Sequence, residues 1–122
     1  MTEAATKVLL VEDEPLVLHS TADLLRDDGY EVLEASGCEE ALALLQAEPE
    51  TRVLVTDLNL SCPGDGVTLA KLVAEKYPDI RLVLVSGGLR PARDDYPERA
   101  TFFTKPYAPG ALLHVVKSPD FA

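Results

Sequence analysis

Five residues with reactive side chains stand where apolar runs of this chain stop: Glu12, Asp13, Asp57, Ser86 and Lys105. Asp57 closes Val53-Leu54-Val55-Thr56, a run that reads as a strand buried on both faces. An Asp in that position stands at the carboxyl edge of a sheet, where open α/β folds hold their ligands. Glu12 and Asp13 end the run Lys7–Val11, Ser86 ends Ile80–Val85, and Lys105 ends Ala100–Thr104. Singly, each has an ordinary explanation. Asp57 could cap a turn, Glu12 and Asp13 could favour the dipole of a following helix, Ser86 could be a turn hydroxyl, and Lys105 a surface lysine. Four strand ends carrying such groups together suggest a common site.

The residue types define the chemistry such a site could perform. Three carboxylates held close repel one another, so at least one pKa should rise unless a cation joins them. Oxygen ligands of this kind suit Mg2+, which takes a few carboxylates together with waters and phosphate oxygens. A lysine opposite supplies a point charge matched to phosphate. With a hydroxyl donor and a carboxylate nucleophile added, the set meets the needs of an aspartyl-phosphate site.

The elements that must position these groups are legible in the apolar pattern. Pro15 suits a first helical position, and the helix after it carries Val17, Leu18, Ala22, Leu24 and Leu25 before closing at Asp28-Gly29. Tyr30–Ala35 reads as a short strand. Ser36 or Gly37 opens a helix with Ala41, Leu44 and Leu45, which stops before Pro49. Asp65 can cap a third helix bearing Leu69, Leu72, Val73 and Tyr77, and Ala108–Lys117 forms a final short helix. Strands alternating with helices argue for βαβ units and a doubly wound parallel sheet. If its strand order is 2-1-3-4-5, all five polar residues crowd one edge. Between Gly87 and Arg99 the crossover contains Pro91 and Pro97 and almost no apolar stripe. Proline inside a helix costs about 3 kcal/mol, so helix four is expected to be short, irregular or mobile.

The bulk properties narrow the function classes. A chain of 122 residues, 47% hydrophobic and 26% charged, fits one soluble globular domain, residues 1–122. Eleven basic against 21 acidic residues give a formal charge of −10, which opposes direct binding to a phosphate backbone. No run approaches a membrane span and the N-terminus has no signal-peptide pattern, so no membrane partner and a cytoplasmic location are expected. Cys38 and Cys62 lack metal or redox spacing and read as free thiols.

The segments Val8–Pro15, Thr56–Leu60, Val85-Ser86-Gly87 and Phe103-Thr104-Lys105-Pro106-Tyr107 resemble the receiver domain of two-component response regulators over nearly the whole chain. The resemblance implies a flavodoxin-like fold and a phosphoacceptor signalling domain rather than a conventional enzyme. By it, Asp57 would take a phosphoryl group from a sensor histidine kinase or a histidine phosphotransfer protein, and an unknown downstream protein would read the result. Glu12, Asp13, Asp57 and the backbone carbonyl of Asn59 would bind Mg2+, while Ser86 and Lys105 would bind the phosphoryl group. Self-catalysed phosphotransfer and autodephosphorylation would follow.

Departures from the family pattern touch the output side. Phe102, not Tyr, occupies the position of the aromatic that switches rotamer in many receivers, and core packing is its alternative role. The two prolines put the usual helix-four signalling surface in doubt. Among competing readings, a haloacid-dehalogenase-type phosphohydrolase would need a second Asp where Asn59 stands. A dinucleotide binder would need a Gly-rich loop after the first strand. A receiver acting only as a phosphate sink, or one never phosphorylated, would share the fold and differ in output.

Overall fold

A computed structural model describes residues 6–58, 66–87, 100–105 and 107–117. Strands β1 (Lys7–Val11), β2 (Glu31–Ala35), β3 (Val53–Asp57), β4 (Arg81–Ser86) and β5 (Thr101–Thr104) form one sheet in the order β2-β1-β3-β4-β5. Every pairing is parallel. Helices α1 (Pro15–Asp27), α2 (Cys38–Ala47), α3 (Gly66–Lys76) and α4 (Pro109–Lys117) complete the described elements. The crossover between β4 and β5, where a short or irregular helix was expected, lies outside the described residues.

Alternation along the strands assigns each side chain to one of two cores. Val8, Leu10, Val53, Val55, Val83 and Val85 pack with Leu18, Ala22 and Leu25 of α1 and with Leu112 and Val116 of α4. Leu9, Val11, Leu54 and Leu82 pack on the other face with Ala41 and Leu45 of α2 and Leu69 and Val73 of α3. Burial on both faces is why these strands read as unbroken apolar runs. A small third cluster of Leu58, Ala70 and Leu84 sits toward the β5 edge, with Phe102 against it.

Helix ends follow local chemistry. Pro15 takes the first position of α1. That helix closes in a Schellman arrangement, with Gly29 N–H donating to the Arg26 carbonyl and Tyr30 N–H to that of Leu25. Gly29 adopts φ +96° there, the one residue in the left-handed region among those described. Predicted boundaries hold within about a residue. Ser86, expected just past β4, is its last residue and pairs with Thr104.

One expectation is corrected. Cys38 is disulfide-bonded rather than a free thiol. Its spacing in sequence gave no hint, because chain topology, not separation, brings the first turn of α2 to the carboxyl edge of the sheet. Cys62, the other cysteine of the chain, lies outside the described residues.

Candidate phosphoacceptor site

The sheet delivers Glu12, Asp57, Ser86 and Lys105 to one edge. Glu12 follows β1, and its N–H donates to the Ala35 carbonyl at the end of β2, so it is fixed between two strand ends at 3.0 Å. Asp57 is the last residue of β3, and the next N–H, from Leu58, donates to the Val85 carbonyl at 2.9 Å. Ser86 is 1% exposed, and its carbonyl accepts from the Lys105 N–H at 2.8 Å. Backbone pairing between neighbouring strands therefore sets the spacing of the side chains.

Lys105 holds the centre. Its Nζ donates to Glu12 Oε2 at 2.9 Å and to Asp57 Oδ2 at 2.7 Å. The Glu14 N–H donates to the other Glu12 oxygen at 3.2 Å. Glu12 and Asp57 are only 5% and 7% exposed. Burial pushes the Glu12 carboxyl above its ordinary range, Lys105 pulls it back, and the Asp57 carboxylate beside it pushes it up again. Burial lowers the Lys105 pKa, but its hydrogen bonds to Asp57 and Glu12 outweigh that and leave it raised. One ammonium thus serves two buried carboxylates, which leaves a surplus of negative charge suited to a further cation.

Asp13 is partly exposed and does not join this pair: among the described residues no three carboxylate, His or Cys side chains are gathered closely enough to hold a metal ion. Asn59, whose carbonyl was expected to complete a metal site, lies outside the described residues. Phe102 is half-buried on the small cluster of Leu58, Ala70 and Leu84, so its ring serves as packing in this conformation.

Two residues beside the site escaped the reading of the sequence. A Cβ on Gly66, the first residue of α3, would lie 2.2 Å from the Asp57 carbonyl oxygen and 2.6 Å from Leu58 Cα. Only glycine lets α3 begin against the backbone at the end of the strand that carries Asp57, and the Gly66 N–H donates to the Leu58 carbonyl at 3.2 Å. A glycine directly after the Asp65 expected to cap the third helix was the available signal. Tyr107 is the second. It lines a cavity of about 10 Å³ with Glu12, Asp57 and Lys105, and its ring stacks on Phe103 with centroids 5.5 Å apart.

Residues 8–117 match the family model described as the response regulator receiver domain. The chain belongs to that family. Relatives include the response regulator protein FleR of Pseudomonas aeruginosa, 33% identical over 92% of this receiver and 24% of that protein. The sensor kinase CckA of Brucella abortus is 34% identical over 90% of the receiver and 12% of its own length. Among solved structures, a CheY-like response regulator receiver domain from Methanospirillum hungatei superposes with a TM-score of 0.82 at 26% identity, covering 93% of this chain and 92% of that one. The receiver spans less than half the length of the curated relatives it matches first. The flavodoxin-like fold and the two-component signalling class expected from the sequence stand, and membership of this family sets the dehalogenase reading aside. No helix among the described residues is long and apolar enough to cross a membrane.

Proposed function

We propose that this receiver accepts a phosphoryl group on Asp57 from a phosphohistidine donor, and that the modified domain signals to a protein partner. The observation that carries the reading is the buried pair of carboxylates at adjacent strand ends with one lysine shared between them. An Asp57 carboxylate oxygen attacks phosphorus, a P–O bond forms as the P–N bond to the donor imidazole breaks, and the leaving nitrogen keeps the electron pair and takes up a proton. Lys105, freed from Asp57 by the new bond, neutralises phosphoryl oxygens. Ser86, at the end of the adjacent strand, offers its hydroxyl to another of them.

The surplus charge at Glu12 and Asp57 fits a hard divalent cation, and Mg2+ bound there would compensate the equatorial oxygens during transfer. Asp13 and the Asn59 carbonyl are its expected further ligands. Relatives named as sensor kinases and as response regulators support a histidine kinase, or a histidine phosphotransfer protein, as donor. A net charge of −10 argues that the reader of the signal is a protein rather than nucleic acid, and a cytoplasmic location suits such a partner. Phe102, packed against the cluster that contains Leu58, the residue after Asp57, is the residue best placed to carry the change to the sheet edge.

A small-molecule phosphodonor with Mg2+ tests the assignment. Intact-mass measurement should show one acid-stable, base-labile phosphoryl group on the parent and none on Asp57→Asn. Labelling of that variant, or an unlabelled parent at every Mg2+ concentration, refutes it.

A further inference from the structure

Strand β2 lies at one end of the sheet, with β1 as its neighbour among the described strands. Its Glu31 N–H donates to the Thr6 carbonyl, and its Ala35 carbonyl accepts from the Glu12 N–H, both at 3.0 Å. Backbone groups alternate in direction along a strand, so those of Leu33 also face β1 while those of Val32 and Glu34 face outward. An open edge of this kind is a template for another strand. One of its acceptors is already taken. Arg26, in the last turn of α1, donates from Nη2 to the Val32 carbonyl at 3.0 Å. Its guanidinium also meets Glu34 Oε2 at 2.7 Å. His19, two helical turns earlier on the same face of α1, stands 3.3 Å from the other Glu34 oxygen.

The outward groups match a second copy of the same strand. Antiparallel pairing about a two-fold axis at Leu33 sets Val32 opposite Glu34 of the second copy, and each such pair exchanges N–H···O bonds in both directions. The side chains suit that register. Leu33 meets its own counterpart, Glu31 meets Ala35, and no two carboxylates stand directly opposite. The Val32 carbonyl is one of the acceptors this pairing needs, and Arg26 withholds it in each copy. We propose that Arg26 guards a latent two-fold interface at the β2 edge, keeping the receiver from pairing strand to strand with a second copy of itself. Glu34 holds the guard in place. The inference does not depend on which residue is phosphorylated.

Arg26→Met keeps the apolar stem and removes the donors. In about 0.15 M salt, repulsion between two acidic copies is screened beyond about 8 Å. Under those conditions sedimentation should show the variant self-associating about tenfold more tightly than the parent, the scale of one charge-assisted hydrogen bond no longer in competition. Amide exchange at Val32 and Glu34 should be fast in the parent and should slow in the variant as protein concentration rises. Leu33→Lys added to Arg26→Met sets like charges on the axis and should return association to the parent level. Glu34→Gln, which loosens the guard and leaves the edge backbone alone, should associate more tightly than the parent and less tightly than Arg26→Met. An Arg26→Met protein that associates no more than the parent would overturn the guard. So would association without new protection at Val32 and Glu34, association that Leu33→Lys leaves intact, or a Glu34→Gln protein indistinguishable from the parent.

Discussion

The sheet has a lysine among carboxylates at each end, and the two clusters are built in opposite senses. At the amino edge the cation is buried and the anions are wet: the Lys7 side chain is 9% exposed, against 56%, 33% and 60% for Glu31, Glu48 and Glu50. At the carboxyl edge the anions are buried and the cation is wetter, with the side chains of Glu12 and Asp57 7% and 8% exposed and that of Lys105 28%. Water can solvate the excess charge around Lys7, so that cluster needs nothing more. Water reaches the excess around Glu12 and Asp57 poorly, so that cluster remains receptive to a cation or a phosphoryl group. Counting ion pairs would rank the amino edge, with three, above the carboxyl edge, with two; asking which partner is desolvated reverses the emphasis.

That contrast can be broken at several points. The largest effect is expected at the glycines of the two ends. Gly66→Ala drives a Cβ into the backbone of Asp57 and Leu58 and should cost about 3 kcal/mol in urea unfolding, with slower phosphorylation. Gly29→Ala meets nothing within 4 Å and suffers only from φ +96°, so about 1 kcal/mol and unchanged phosphorylation are expected. Equal losses would show that the acidic edge is no tighter than the other. Next, Lys105→Met leaves two buried carboxylates without their cation and should lower metal-free stability by about 2 kcal/mol, a loss that Mg2+ reverses in part. Lys7→Met, whose partners are solvated, should change labelling not at all.

Asp57→Asn should raise metal-free stability, because it removes a repulsive partner from Glu12. A destabilised variant would show that the site carries no surplus charge. The smallest effect concerns pH. Glu12 has a folded pKa above its ordinary 4.5, so its contribution to stability is present below 4.5 and is lost as pH climbs through the raised folded value. Glu50, held below 4.5 chiefly by Lys7, contributes above 4.5 and loses that contribution as pH falls through its lowered value. Melting curves of Glu12→Gln and Glu50→Gln should therefore depart from the parent in opposite directions of pH.

The sequence was most informative where each side chain obeyed one dominant constraint. Strands buried on both faces appear as continuous apolar runs, and a polar residue that ends such a run has little choice but the sheet edge. Glu12, Asp57, Ser86 and Lys105 were legible for that reason. Gly66 was hidden because its role lies in what an absent Cβ would strike, the backbone at the end of the preceding strand. Tyr107 was hidden because an aromatic near the core reads as packing, and only the fold brings it to the small cavity lined by Glu12, Asp57 and Lys105. The bonding of Cys38 could not be read from spacing, since separation along the chain does not fix which side chains the fold brings together.

Among the described residues Leu58, Ala70 and Leu84 form a cluster apart from the two principal cores, with Phe102 of β5 against it. Leu58 follows Asp57 directly in the chain, and its N–H donates to the Val85 carbonyl of β4. The residue after the acidic strand end is thus tied by its backbone to the neighbouring strand, while its side chain joins packing that reaches β5. Position at Asp57 and packing at the β5 edge are coupled through that one residue.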